Sequence, residues 1–201
     1  SIKIHKINWL LNLILFLLYF SLSSQSYEIF KIDFFSEITI TINKAGKQNI
    51  LSKGIRDYSS SSYATYSSYY GPLPDEVYVN GVIQSQVEEF VKLTEKENII
   101  TMRWNSPIKT CRHMFNGVYN ITKIDASKFD TSQVTDMFNF FRHLYLVTSI
   151  DLSNFNTSLV TDMEYMFDGC QSLISLDLGS FDTSSVKLMK FMFQSCKSLI
   201  I

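Results

Sequence analysis

FDTSQVTDM at 129–137, FNTSLVTDM at 155–163 and FDTSSVKLM at 181–189 are near copies of one another, and Phe129, Phe155 and Phe181 lie 26 residues apart. A fixed period of that length marks stacked structural units, each too small to bury its own apolar face alone. Columns written at 26-residue steps stay apolar along their length. Phe115, Phe141, Phe167 and Phe193 form one, and Cys111, Met137, Met163 and Met189 another. Val118, Leu144, Cys170 and Cys196 make a further column.

Within one unit, SLISLDLGSF (172–181) places Leu173, Leu176 and Leu178 among polar residues, and its ISLDL core reads as a strand. In the next stretch Val186, Met189, Met192 and Phe193 fall at helical spacing. Thr183 or Ser184 is placed to cap a helix there, and Asp136 and Asp162 to sit in the first turn of earlier copies. The expected fold is an α/β leucine-rich-like solenoid over 105–201, with 26-residue rungs of a short parallel strand plus a short helix. The exposed last rung and the ending Leu199-Ile200-Ile201 predict a solenoid truncated at its C-terminus.

Upstream, the pattern changes. EITITIN (37–43) alternates isoleucine with polar residues, EVYVNGVIQ (76–84) carries a hairpin signal at Asn80-Gly81, and NIITMRW (98–104) is another strand candidate. These predict a small β domain over 27–104 that precedes the solenoid, with EEFVKLTEKEN as helix or loop. A Ser/Tyr-rich loop spans 57–76. Residues 1–26 combine Lys3 and Lys6, an apolar run from Trp9 to Phe20, and small polar residues, the layout of a signal peptide. An uncleaved anchor is the alternative, although the run is short for a membrane span.

The net charge of −1 and a charged fraction of 18% point away from nucleic acid and from anionic membrane surfaces. Three cysteines do not make a disulfide framework, and the spacing leaves Cys170 and Cys196 open to pairing or to burial as thiols. His5, His113 and His143 share no column, so no metal is assigned, and nothing predicts a cofactor. No Ser-His-Asp order, paired-acid motif or glycine-rich phosphate loop stands out, so a non-catalytic protein is expected.

Binding is the function left open by these exclusions. Asp125, Asp151 and Asp177 form an acidic row on the outward side of the strands. The expected recognition face is Ser149, Asp151, Ser153, Ser175, Asp177 and Gly179. An aromatic loop of Tyr58, Tyr63, Tyr66, Tyr69 and Tyr70 is a second candidate, suited to sugar rings. Asn120 and Asn156 each begin an N-glycosylation triplet.

Phe129-Asp130-Thr131-Ser132, Val134, Asp136-Met137, Phe167, Cys170, Ser172-Leu173 and Leu176-Asp177-Leu178 together resemble the bacterial-surface-protein type of leucine-rich repeat. That repeat is familiar from mycoplasma lipoproteins and expanded in ciliates and other protists. The resemblance covers 104–201 and departs at Asp125-Ala126, at Val118 and at Lys187-Leu188. It implies a secreted or cell-surface protein-interaction or adhesion module, with an extracellular protein or glycan as partner. A carbohydrate-binding surface module is the alternative. Contact with a membrane is expected only through an uncleaved leader or a C-terminal anchor beyond these residues.

Overall fold

The computed structural model describes residues 36–52, 55–57, 65–67 and 71–200, with 55–57 and 65–67 as backbone alone. The leader lies outside the described residues, as do Tyr58, Tyr63, Tyr69 and Tyr70.

Ten strands follow in chain order: β1 (Ser36–Ile42), β2 (Gly46–Asn49), β3 (Ile55–Asp57), β4 (Thr65–Ser67), β5 (Glu76–Val79), β6 (Val82–Ile83), β7 (Phe90–Leu93), β8 (Asn98–Trp104), β9 (Ile121–Lys128) and β10 (Ser149–Asp151). Six make one sheet in the order β10-β9-β1-β8-β5-β6, parallel between β10 and β9 and antiparallel elsewhere. Alternation sets the faces: Ile38, Ile40 and Ile42 of β1 are buried while the residues between them are half-exposed. Asn80 and Gly81 both adopt positive φ, as the two-residue turn joining β5 to β6 requires. Phe90–Leu93, within the stretch read as helix or loop, is a strand paired with β2. Tyr66 lies in β4, which pairs with β3 inside the stretch read as a loop.

The sheet crosses the junction near residue 104. β9 belongs to the first copy of the repeat, yet it pairs along its length with β1, from Glu37↔Lys128 to Ile42↔Ile121. Glu37 reinforces the seam, accepting from Arg103 of β8 at 2.6 Å and from Lys128 of β9 at 3.2 Å.

The expected α/β solenoid with a helix in each rung is overturned. None of the described residues is helical, and the structure is a mixed β-sheet with turn-rich segments between its repeat strands. The apolar spacing read as helical is real, but the backbone satisfies it differently. His113, Asn139 and Tyr165 have φ of 60°, 57° and 56°, and Phe191 repeats the column at 59°. Gly117, His143, Gly169 and Ser195 form a second left-handed column. A right-handed helix cannot pass through such residues, and each non-glycine there costs about 1–2 kcal/mol. The compensation comes from neighbouring copies.

Alternate amides point sideways. Cys111, His113, Phe115 and Gly117 donate to the carbonyls of Asp136, Phe138, Phe140 and Arg142 in the next copy, and two further interfaces repeat the set. All these bonds measure 2.7–3.1 Å. The amides between them, such as Met114, Asn116 and Val118, donate three residues back and close tight turns. A helix would send every amide along its own axis. Here half of them tie one rung to another.

Threonine does the same on the opposite turn. Thr131 and Thr157, the copies of the cap candidate Thr183, are buried. Thr157 Oγ1 donates to Asp182 O at 2.9 Å and accepts from Asp182 N at 2.8 Å. Asp136 and Asp162 do not meet a helix dipole. They accept from the amides of Phe138 and Glu164, and Arg112 lies 3.0 and 3.6 Å from their carboxylates.

The core runs through the repeat columns. Phe115, Phe141, Phe167 and Phe193 stack at centroid distances of 6.0, 5.5 and 5.5 Å. Trp104 of β8 meets Phe129 edge-on at 5.6 Å and closes the column of Phe129, Phe155 and Phe181. Cys170 and Cys196 are free thiols that donate to the carbonyls of Phe141 and Phe167, and burial raises the Cys170 thiol far above its usual range.

Candidate functional site

An open groove of about 520 Å³ crosses the outer face of β1, β9 and β10 and continues over the next repeat copy. Register explains its lining. Thr39 opposes Asp125, and Asp125 opposes Asp151, while Thr41 opposes Lys123 and Lys123 opposes Ser149. Alternation sends these side chains to the face opposite buried Ile124 and Ile150. Neighbouring strands are about 4.8 Å apart, so two polar rows run across the sheet at that interval. Ser175 and Asp177 extend the lining into the following copy.

The carboxylates are held by their own turns. Asp125 Oδ1 accepts from the amide of Ser127 at 3.0 Å and its hydroxyl at 2.6 Å. Asp151 Oδ1 accepts from Ser153 N at 2.9 Å, and Asp177 Oδ1 from Gly179 N at 2.8 Å. The Ser153 amide, followed by its hydroxyl, holds the Asp151 carboxyl below its usual range, so it stays ionised near neutrality. One oxygen of each aspartate is thereby fixed, which orients the other. The groove offers anchored carboxylates, hydroxyls and one ammonium, Lys123. No histidine or cysteine lines it.

Of the residues expected on a recognition face, Ser149, Asp151, Ser153, Ser175 and Asp177 line this groove together. Gly179 is not in the lining but supplies the amide that orients Asp177. Thr39, Thr41 and Lys123 were not anticipated. Thr39 and Thr41 face the groove because β1 pairs with β9, and alternation within EITITIN marks them only as outward.

The other candidates separate. Tyr66 contributes backbone to β4, and the remaining tyrosines of that loop lie outside the described residues. Tyr119 and Tyr145 instead form an exposed pair, stacked at 5.3 Å with 3° between planes. Asn120 is half-buried, its Nδ2 donating to Gln48 Oε1 at 2.9 Å. Asn156 is exposed, and its Oδ1 accepts from the Ser158 hydroxyl at 2.7 Å. His113 is buried with its Nδ1 3.3 Å from Asn139 Nδ2, and His143 lies 3.8 Å from Asp168. Among the described residues no group of three or more His, Cys, Asp or Glu is placed to hold a metal ion. Among the described residues no helix is long and apolar enough to cross a membrane.

These features define a repeat-built, mixed β-sheet protein with an open polar groove. The chain belongs to the family described as "Mycoplasma protein of unknown function, DUF285", which matches residues 87–200. That span takes in β7, β8 and every copy of the repeat, and it fits the mycoplasma side of the resemblance. No curated protein and no solved structure matches the chain.

Proposed function

We propose that this protein is a non-catalytic interaction module of the cell surface or secreted space, and that the groove over β1, β9 and β10 takes its partner. The observation that carries the reading is the convergence there of turn-anchored carboxylates and hydroxyls from β9, β10 and the next repeat copy. Side chains fixed before a partner arrives lose little entropy when it docks. The resemblance to bacterial-surface-protein repeats, including their protist members, agrees with such a role. The partner is an extracellular protein whose surface offers donors to a row of carboxylates.

The test joins location to binding. Tagged protein is expected to be protease-accessible on intact cells or present in the medium. It is expected to bind intact cells of its source, with binding lost when Asp125, Asp151 and Asp177 are all changed to Asn. A protease-protected protein, or undiminished binding by that variant, contradicts the reading. A glycan partner is the second reading, favoured by the exposed Tyr119–Tyr145 pair. Glycan-array binding lost in Tyr145→Ala but kept in the triple Asn variant would select it.

A further inference from the structure

The outer face of the six-stranded sheet continues well past the groove. Register joins its side chains into rows that run across the strands. One row passes from Asp151 and Asp125 through Thr39 and Thr101 to Tyr78 and Ile83. A second passes from Ser149 and Lys123 through Thr41 to Ile99. In the middle of the first row the hydroxyls of Thr39 and Thr101 share a hydrogen bond at 3.0 Å. A third row, Lys128, Glu37, Arg103 and Glu76, is cross-linked by ion pairs of 3.2, 2.6 and 3.9 Å.

The two ends of this face differ in chemistry. At the β6 end Ile83 and Ile99 are 56% and 50% exposed, and Tyr78 lies directly opposite Ile83 and diagonally from Ile99. The core residues Val77, Ile100 and Met102 point to the other side of the sheet, so this apolar corner is a patch of its own. At the β10 end stand the turn-anchored carboxylates. Asp125, Asp151 and Asp177 join none of the ion pairs formed among the described residues. Four strand spacings separate Asp125 from Ile83, which sets the two ends about 19 Å apart.

We propose, resting on the groove's role as a partner site, that the partner is a basic, amphipathic protein segment lying across the whole sheet. It seats an apolar side chain on Ile83, Tyr78 and Ile99 and cationic side chains on Asp125 and Asp151. Charge complementarity selects lysine or arginine for the carboxylate end, where no side chain of the described residues neutralises the row. The third row pairs its own signs and attracts neither sign strongly. Between the ends lies a floor of threonine hydroxyls, a distance that about six extended residues span. A second copy of this chain does not fit. Face to face about an axis along the row, carboxylates meet carboxylates. About an axis across the row, they meet Ile83 and Ile99, and either arrangement buries unpaired charge.

The test titrates the full chain onto intact cells of its source. Ile83→Ser combined with Ile99→Ser is expected to raise the concentration for half-maximal binding about tenfold or more. Ile83→Lys alone, in an edge strand that tolerates lysine, is expected to act in the same direction. Val82→Ser is the control: it changes a residue 65% exposed on the opposite side of β6 and should stay within about twofold. Raising salt from about 0.1 M to about 1 M should weaken binding by the parent, and soluble poly-lysine, not poly-glutamate, should compete for it. Unchanged binding by both Ile83 variants, with loss in the triple Asn variant, overturns the inference and leaves the groove reading standing. An equal loss in Val82→Ser, or parent binding indifferent to salt and poly-lysine, also overturns it. So does a dimer of the parent that the double variant disperses, because a second copy would then be the occupant. A parent that binds no cells ends the groove reading as well.

Discussion

The two ends of the repeat stack meet opposite surroundings. At the first rung, strands outside the repeat imitate a preceding copy. Ser36 Oγ accepts from Asp130 N at 3.1 Å and donates to Asp130 O at 3.4 Å, the pair of bonds that Thr131 makes to Asn156 one rung later. Ser52 supplies a ladder amide, Trp104 an aromatic lid, and β1 a strand for β9. At the last rung the same amides, hydroxyl and aromatic column face outward. A repeat interface is thus defined by a short set of groups, and a non-repeat strand can meet that definition without the repeat's sequence.

Large effects are expected where the interface is complete. Phe141→Ala, in the fully buried middle of the column, should cost about 3–5 kcal/mol in urea unfolding. Phe193→Ala, its copy on the open face, should cost about 1 kcal/mol. Equal losses would erase the distinction between the ends. Buried Asp168 and half-buried Arg142 form an ion pair at 2.9 Å between adjacent rungs. Asp168→Ala is expected to cost about 3 kcal/mol, because Arg142 keeps its charge without that partner.

Smaller changes sharpen the comparison. Thr157→Val removes both bonds to Asp182 and should cost about 2 kcal/mol, whereas Thr183→Val should stay within about 0.5 kcal/mol. At the closed end, burial alone would raise the Glu37 carboxyl, but hydrogen bonds from Arg103 and Lys128 outweigh it and hold the group below its usual range. Its stabilising contribution is complete above the ordinary value of 4.5 and is lost as pH falls through the lowered folded value. Urea midpoints measured through that acid range should fall less steeply for Glu37→Gln than for the parent. Asp162 has the opposite sign: burial raises its carboxyl, so it lowers stability as pH rises through the folded value.

Much of this was readable from period alone. The phenylalanine columns stack as their spacing implies, and the outward Asp and Ser positions of β9, β10 and the ISLDL stretch meet in one groove, although ISLDL itself, read as a strand, is not one. The helix was misread because apolar spacing of three and four residues is shared by two backbones. A helix and a ladder of tight turns both bring Met189, Met192 and Phe193 to one side. The discriminating signal was weak but present: Gly117 and Gly169 occupy one column, where a left-handed residue is needed. His143 and Ser195 fill the same column without glycine and hide it. The pairing of β1 with β9 was not legible, since alternation shows which side of a strand is buried and not which strand lies beside it. Thr39, Thr41 and Lys123 entered the groove only through that register.

The most direct measurement is residue-resolved amide exchange along the last rung of the unaltered chain. Gln194 and Cys196 donate three residues back, while Phe191, Phe193 and Ser195 donate to nothing described. The account predicts an alternating pattern, with Gln194 and Cys196 slower than Phe193 and Ser195, and the equivalent amides Phe167 and Gly169 slow one rung below. Continuous protection from Phe191 to Cys196 would contradict it, because a helix, not a turn ladder, would then be holding those amides.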